Sequence, residues 1–420
     1  MINKVISWSI HNRFIVIVAV LGLIGYGIYS LSQTPVDAIP DLSEKEVIVF
    51  TEWMGRGPQI MEDQVTFPLV SNLQGIPDVR DIRAVSMFGM SFVYVVFKDK
   101  TDIYWARTRV LERLNYAQKF LPPGVTPSLG PDATGVGQVY WYTLDAPGYD
   151  LGTLRALQDW YIKFALQNVP GVSEVASFGG FQKQYQITLD PNKLNYFNIS
   201  LMDVINAVRK NNNDVGGRVF DLNDANYMVR GLGYIKNRDE IADIPVATQG
   251  TTPICIKDLG TVQIGGDQRL GIIDENGNGE AVGGVVLMRE GQNADAVIKG
   301  IKTKMMEVAK GLPPGVSFKT AYDRSTLIEA SVKSIRYTII EEIILVCLVI
   351  LVFLMHFRSA LVVMLSIPIA VLTGFILIRG LGFSSNIMSL SGIAIAIGVI
   401  VDNSIVMVEN AYRHLTENAD

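Results

Sequence analysis

The stretch from Asn386 to Asn410, NIMSLSGIAIAIGVIVDNSIVMVEN, constrains the fold more than any other part of the chain. It is apolar over a length that crosses a bilayer as a helix, for which roughly 20 residues suffice. Yet it holds Asp402 well inside and Glu409 near its end. At about 1.5 Å of rise per residue, Asp402 lies roughly 22 Å from Ile387, within hydrocarbon depth. Inserting an acid there costs about 2.5 to 3.5 kcal/mol, and such groups usually face a bundle interior and mark an ion or proton path. Helical spacing brings Ser391, Gly398, Asp402 and Glu409 within about 40° of one another, one small or polar stripe on an apolar helix. A neighbouring helix can pack on that stripe, and protonation of its acid removes a charge from a low-dielectric surrounding. Two blander roles compete: an Asp that only hydrogen-bonds a partner helix, and the core helix of a soluble protein. The bilayer-matched length argues against the second.

Three further apolar runs join this one. Phe14–Leu31 follows basic residues, as a signal peptide does, but exceeds the usual 7 to 15 apolar residues of one and reads as an uncleaved span. Thr338–Met355 and Ala360–Ile378 are separated by the turn HFRS, and Pro368 is expected to kink the latter. Lys4, Arg13, Arg358 and Arg413 fall on one side of these spans and only Arg379 on the other. The positive-inside rule then puts both termini in the cytoplasm and the long region Ser32–Tyr337 outside it, in the periplasm of a two-membrane bacterium.

Net charge is −5 with no basic cluster, which argues against nucleic acid as a partner. Cys255 and Cys347 lie in regions of different polarity and form no disulfide framework. The histidines, His11, His356 and His414, all flank apolar segments, so the central region builds no histidine zinc cage. A Walker-type phosphate loop is absent, which disfavours ATP hydrolysis.

The central region repeats itself. LPPGV occurs at Leu121 and again at Leu312, each time between an amphipathic helix and a short strand, and IPDVRDI at Ile76 echoes VPGVSEV at Val169. Pro77 to Pro122 is 45 positions and Pro170 to Pro313 is 143, so the second copy carries 98 extra residues. Each copy reads strand, helix, strand, strand, helix, strand, the split βαβ (ferredoxin-like) pattern. The expected fold is a membrane α-helical bundle of four spans plus a periplasmic α+β region, its second subdomain interrupted by a strand-rich insertion. The boundaries drawn are 1–33 for the N-terminal segment and first span, 34–133 for the first subdomain and 134–180 with 278–330 for the second. The insertion takes 181–277 and the remaining spans 331–420.

Several blocks carry a family resemblance: TPVDAIPDLSEKEV at Thr34, TDIYWARTRVLERLN at Thr101, LGPDATGVGQVYWY at Leu129, AYDRSTLI at Ala321 and the whole stretch from Asn386. The chain resembles the N-terminal half of a resistance-nodulation-division (RND) efflux permease, most closely the heavy-metal branch of the copper and silver type. The resemblance implies an inner-membrane secondary transporter, not an enzyme, with two porter subdomains and a docking insertion. Asp402 would belong to the proton relay, and Glu409 would be a second relay acid or a helix partner. Met388 and Met407 would contribute to a methionine pathway for metal, although Ile400 stands where close relatives have a methionine. Arg83 would lie near a substrate cleft. No cofactor is implied: Cu(I) or Ag(I) is the substrate and the proton gradient the energy source. The implied partners are two further copies in a homotrimer, a periplasmic adaptor (membrane fusion protein), an outer-membrane channel and the lipid bilayer. The chain ends in HLTENAD without a fifth span, so the expectation is half of a permease.

Each site residue also has a plainer reading. Nine of the fourteen methionines lie in the central region and most are core filler. Arg83 can be a solvated charge beside a strand, and Glu341 and Glu342 suit the start of a helix. A drug or lipid exporter of the same superfamily, or a non-transporting membrane assembly or secretion factor, are the alternative functions.

Overall fold

The computed structural model describes residues 2–222, 225–269, 271–354 and 357–417. Met355 and His356, at the expected junction of the second span and its turn, lie outside the described residues, as do the side chains of Glu342, Cys347 and Arg358 and the end of the HLTENAD tail. After a short helix, Ile2–His11, the chain runs through α1 (Arg13–Gln33) into β1 (Glu46–Glu52). Next comes α2, built of Pro58–Met61 and Phe67–Leu73 joined by one π-helical turn, Glu62–Thr66. β2 (Val79–Met87), β3 (Met90–Phe97), α3 (Ile103–Ala117) and β4 (Pro127–Leu129) complete the first copy. The second copy opens with β5 (Gln138–Asp145) and α4, formed by Leu151–Leu157 and Lys163–Gln167 around a second π turn, Gln158–Ile162. It continues with β6 (Val172–Gly179), β7 (Val282–Met288), α5 (Ala294–Ala309) and β8 (Ser317–Asp323). Three long helices follow, α6 (Arg324–Leu354), α7 (Phe357–Gly380) and α8 (Ile387–Glu417).

The two copies share one strand order. The first sheet runs β2-β3-β1-β4 and the second β8-β5-β7-β6, the same order read from opposite ends. β1 alternates because one face meets the helices: Val47, Val49 and Thr51 are buried and their neighbours are not. The central strand β3 buries Val93, Val95, Val96 and Phe97 completely, and α3 adds Ala106, Val110 and Leu114 at helical spacing. Each such aliphatic side chain contributes about 1.5 to 3 kcal/mol on burial. The repeated turns match in detail. Val125 N–H donates to Pro122 O at 3.1 Å and Val316 N–H to Pro313 O at 3.2 Å, with Gly124 and Gly315 both near φ +84. That positive φ after proline is what the glycine of each LPPGV supplies.

Packing divides the chain into Met1–Thr143, Ile162–Ala176 and Gly284–Asp420 as one unit, and Leu144–Tyr161 with Ser177–Gly283 as the other. The second unit has its own core of Ile199, Val204, Ile241, Ile244, Ile254, Ile256 and Leu259. Expected as strand-rich, the insertion has six strands among the described residues but also packs four helices, Pro191–Phe197, Leu201–Asn211, Arg238–Ala242 and Ile256–Leu259.

Of the long helices, Arg13–Gln33 and Ile387–Asn410 are apolar and long enough to cross a membrane, and Leu365–Gly380 is a shorter apolar stretch. The expected span from Thr338 falls in α6, where many side chains are outside the described residues. α6 starts at Arg324, seven residues before the boundary drawn at 331, because Asp323 caps it: its Oδ1 accepts from Ser325 N–H at 2.9 Å.

Candidate functional site on the last long helix

α8 begins where α1 ends. Val36 and Ser385 form a parallel bridge. Asp37 N–H donates to Ser385 O at 3.0 Å, Ser385 N–H to Pro35 O at 2.8 Å and Ile387 N–H to Ala38 O at 3.2 Å. Asn386 then caps the helix reciprocally: its Oδ1 accepts from Ser389 N–H at 3.0 Å while Ser389 Oγ accepts from Asn386 N–H at 2.9 Å. The NIMSL block is therefore a helix start tied to the segment that follows α1.

Below the cap, Leu390, Ile397 and Val401 are buried. Ser404 Oγ donates to Ile400 O at 2.8 Å and lies 3.3 Å from Ser366 Oγ on α7. Ser391, Gly398, Asp402 and Glu409 are all exposed, roughly a third of a turn away from that packed side. Asp402 and Glu409 make no hydrogen bond or ion pair among the described residues, and a Cβ added at Gly398 would meet nothing within 4 Å. The stripe is thus one continuous uncovered face carrying two carboxyl groups.

Met388 and Met407, 67% and 62% exposed, share the helix with Asp402 but not a site. Nineteen residues place them about 28 Å apart along the axis and about 100° apart around it. Arg83 sits on β2 at the edge of the first sheet, its Nε 3.0 Å from Asp81 and its Nη2 2.8 Å from Glu44. Those hydrogen bonds, Asp81 first, raise its pKa and keep it charged, and Arg83 in turn lowers that of Asp81. Among the described residues no three His, Cys, Asp or Glu side chains group as metal ligands.

The sequence reading missed two polar junctions. Arg324, 3% exposed at the start of α6, lies 2.9 Å through Nη2 from Asp37 Oδ1 and donates through Nη1 to Val136 O. The contact with Asp37 is an ion pair, and Nε has no hydrogen-bond partner among the described residues. Burial lifts the Asp37 carboxyl above its ordinary pKa, with the Arg324 charge opposing. The second junction is Asp132 of the LGPDATG block, which accepts from Tyr104 OH at 3.1 Å and from Ser173 Oγ, with Arg289 Nε 3.5 Å away. It ties α3 of the first copy to β6 and the end of β7 in the second. The only sequence signal for either was a charged residue inside a family-like block.

This architecture, two sheets of like order together with long apolar helices, has a family. Over residues 5–420 the chain matches the AcrB/AcrD/AcrF family, and it belongs to that family. It is 46% identical to the cation efflux system protein CusA of Escherichia coli (strain K12) over 420 residues, 99% of this chain and 40% of that protein. It is 37% identical to the cobalt-zinc-cadmium resistance protein CzcA of Cupriavidus metallidurans over 424 residues, again 99% of this chain and 40% of that protein. A crystal structure of a heavy metal efflux pump, crystal form II, superposes with a TM-score of 0.88 at 35% identity, covering 98% of this chain and 41% of that one. The heavy-metal resemblance is borne out, and the chain spans about two fifths of the length of these relatives.

Proposed function

We propose that the chain is the N-terminal half of a proton-driven heavy-metal efflux permease of the bacterial inner membrane, working as a trimer with an adaptor and an outer-membrane channel. The observation that carries this is the exposed stripe with Asp402 at its centre, on a helix long and apolar enough to cross a bilayer. An uncovered carboxylate at hydrocarbon depth is costly, so helices from the rest of the permease cover the stripe and Asp402 exchanges its proton there. Glu409 extends the same face toward the cytoplasmic end. Packing of α8 against that cover then differs between the two protonation states, and the strap from Ser385 to Pro35 links the start of α8 to the porter region.

Cu(I) or Ag(I) is the proposed metal. Thioether sulfur suits these soft ions, and the region Ser32–Tyr337 has no histidine. Met388 and Met407 are separate stations on a path, since their separation rules out a shared site. Arg83, satisfied by its own neighbours, serves the surface of the first porter subdomain. In the full-length permease, Asp402→Asn is expected to abolish metal resistance while membrane incorporation stays unchanged. Asp402→Glu should keep part of the activity. Resistance retained by Asp402→Asn would overturn the proposal.

A further inference from the structure

The turn between β2 and β3 gathers three thioethers. Met87 and Met90 are direct partners across the two strands, with only Phe88 and Gly89 between them. Residues opposed in this way project from one face of a sheet, with Cβ atoms about 4.5 to 5.5 Å apart. Met54, just beyond the end of β1, is brought to the same tip by the backbone. Trp53 N–H donates to Gly89 O and Gly89 N–H to Arg56 O, both at 2.8 Å. The Met54 Sδ lies against Gly89, only 3.1 Å from where a Cβ on that residue would stand. Glycine permits this approach and also the φ of +69 found there.

These three do not fill the core. Elsewhere in the region Ser32–Tyr337, Met61, Met288 and Met305 are buried, whereas Met54 and Met87 are each 50% exposed and Met90 is partly buried. Val47, Val49, Ser91, Val93 and Val95 hold the buried face of the sheet, which leaves Met87 and Met90 on the other. Glu52 joins them on that face, because it is the partner of Met90 on the β1 side. Its side chain is exposed and makes no ion pair or hydrogen bond among the described residues. The guanidinium of Arg56 is turned onto the ring of Trp53, 4.7 Å from the centroid. Neutral thioether sulfur favours Cu(I) and Ag(I) over the divalent ions that imidazole and carboxylate serve. Each methionine has three rotatable bonds, so three sulfurs can turn onto one ion without moving the backbone. Glu52 then offsets the single positive charge.

We infer that Met54, Met87 and Met90 form a surface site for one Cu(I) or Ag(I) ion, with Glu52 as the counter-charge. The inference rests on the soft-metal reading of the proposed function and not on its proton step. Titration of the intact, detergent-solubilised chain with Ag(I), followed by NMR of isotope-labelled methionine methyls, tests it. One binding step should shift the methyls of all three residues together, and Zn(II) should shift none of them. Methionine-to-leucine changes nearly conserve volume, so the unfolding midpoint should hold. Each of Met54→Leu, Met87→Leu and Met90→Leu should weaken the site by at least about tenfold, the loss seen even for outer-shell partners of a metal. Glu52→Gln should weaken it about fivefold, the effect of removing a unit charge roughly 4 Å away in water. The triple leucine variant should bind one equivalent fewer than the parent. Asp402→Asn should bind Ag(I) as the parent does, which separates this site from the proton relay. Unchanged Ag(I) stoichiometry in the triple variant, or shifts confined to one of the three methyls, would overturn the inference and leave the transport reading standing. Zn(II) displacing Ag(I) from these methyls would overturn the soft-metal choice in both.

Discussion

Gly27 sets how closely α1 approaches α7. A Cβ there would stand 2.7 Å from Leu372 Cβ and 3.4 Å from its Cα, whereas Gly22 and Gly25 face open space. Gly27→Ala is therefore expected to cost about 1 to 3 kcal/mol through overpacking. The same change at Gly22 or Gly25 should be neutral or favourable, because alanine is the better helix former. Thermal unfolding of the detergent-solubilised chain checks both. None of this was legible in the sequence, where three glycines in one apolar run look alike and only the partner helix distinguishes them. Asp402 is the opposite case: a carboxylate in an apolar helix is conspicuous without any coordinates, and the stripe it belongs to follows from residue spacing, whereas the exposure of that stripe is seen only in the structure.

At the scale of elements, the strands and helices of both copies were largely legible, because alternation and helical period are strong there and Pro-Gly turns punctuate them. The π turns at Glu62–Thr66 and Gln158–Ile162 were not, since a single inserted residue barely alters an apolar period. They recur in the first helix of each copy, and each presents a polar side chain to the sheet. Thr66 lies within 2.8 Å of both Ser86 and Ser91, and Gln158 donates to Ser177 at 3.3 Å. The start of α6 was missed for a different reason, that its cap lies in a block read only as family-like. Asp323 there accepts from Lys302 at 2.6 Å and from Ser325. Burial pushes its pKa up, but those hydrogen bonds outweigh it and the net shift is downward from 3.8. The folded carboxyl thus binds its proton less readily than the unfolded one, and its stabilisation holds above pH 3.8 and is lost as pH falls through the lowered value. Asp323→Asn should flatten the acid limb of an unfolding-versus-pH curve. The neighbouring Arg324–Asp37 pair should behave as a coupled unit. Arg324→Met or Asp37→Asn alone leaves a buried charge unpaired at a cost of about 3 to 5 kcal/mol, and the double variant should cost less than the sum. Strict additivity in a double-mutant cycle would contradict a functional pair.

In the whole molecule, two repeated α/β modules are followed in the chain by long helices, the last of which carries an exposed acidic face. Internal repetition made the plan of two like α/β modules readable from two short turn motifs. The helical content of the insertion was harder to see, because its helices are short and lie between strands. The chain spans about two fifths of its relatives' length, and under the proposed function the uncovered stripe meets a partner surface in the full permease. Metal-dependent proton flux in everted membrane vesicles carrying that permease, parent against Asp402→Asn, tests this most directly. Adding Cu(I) or Ag(I) is expected to dissipate an imposed proton gradient in the parent vesicles and to leave it intact in Asp402→Asn. Equal dissipation by both would show that the acid in this helix carries no coupled proton.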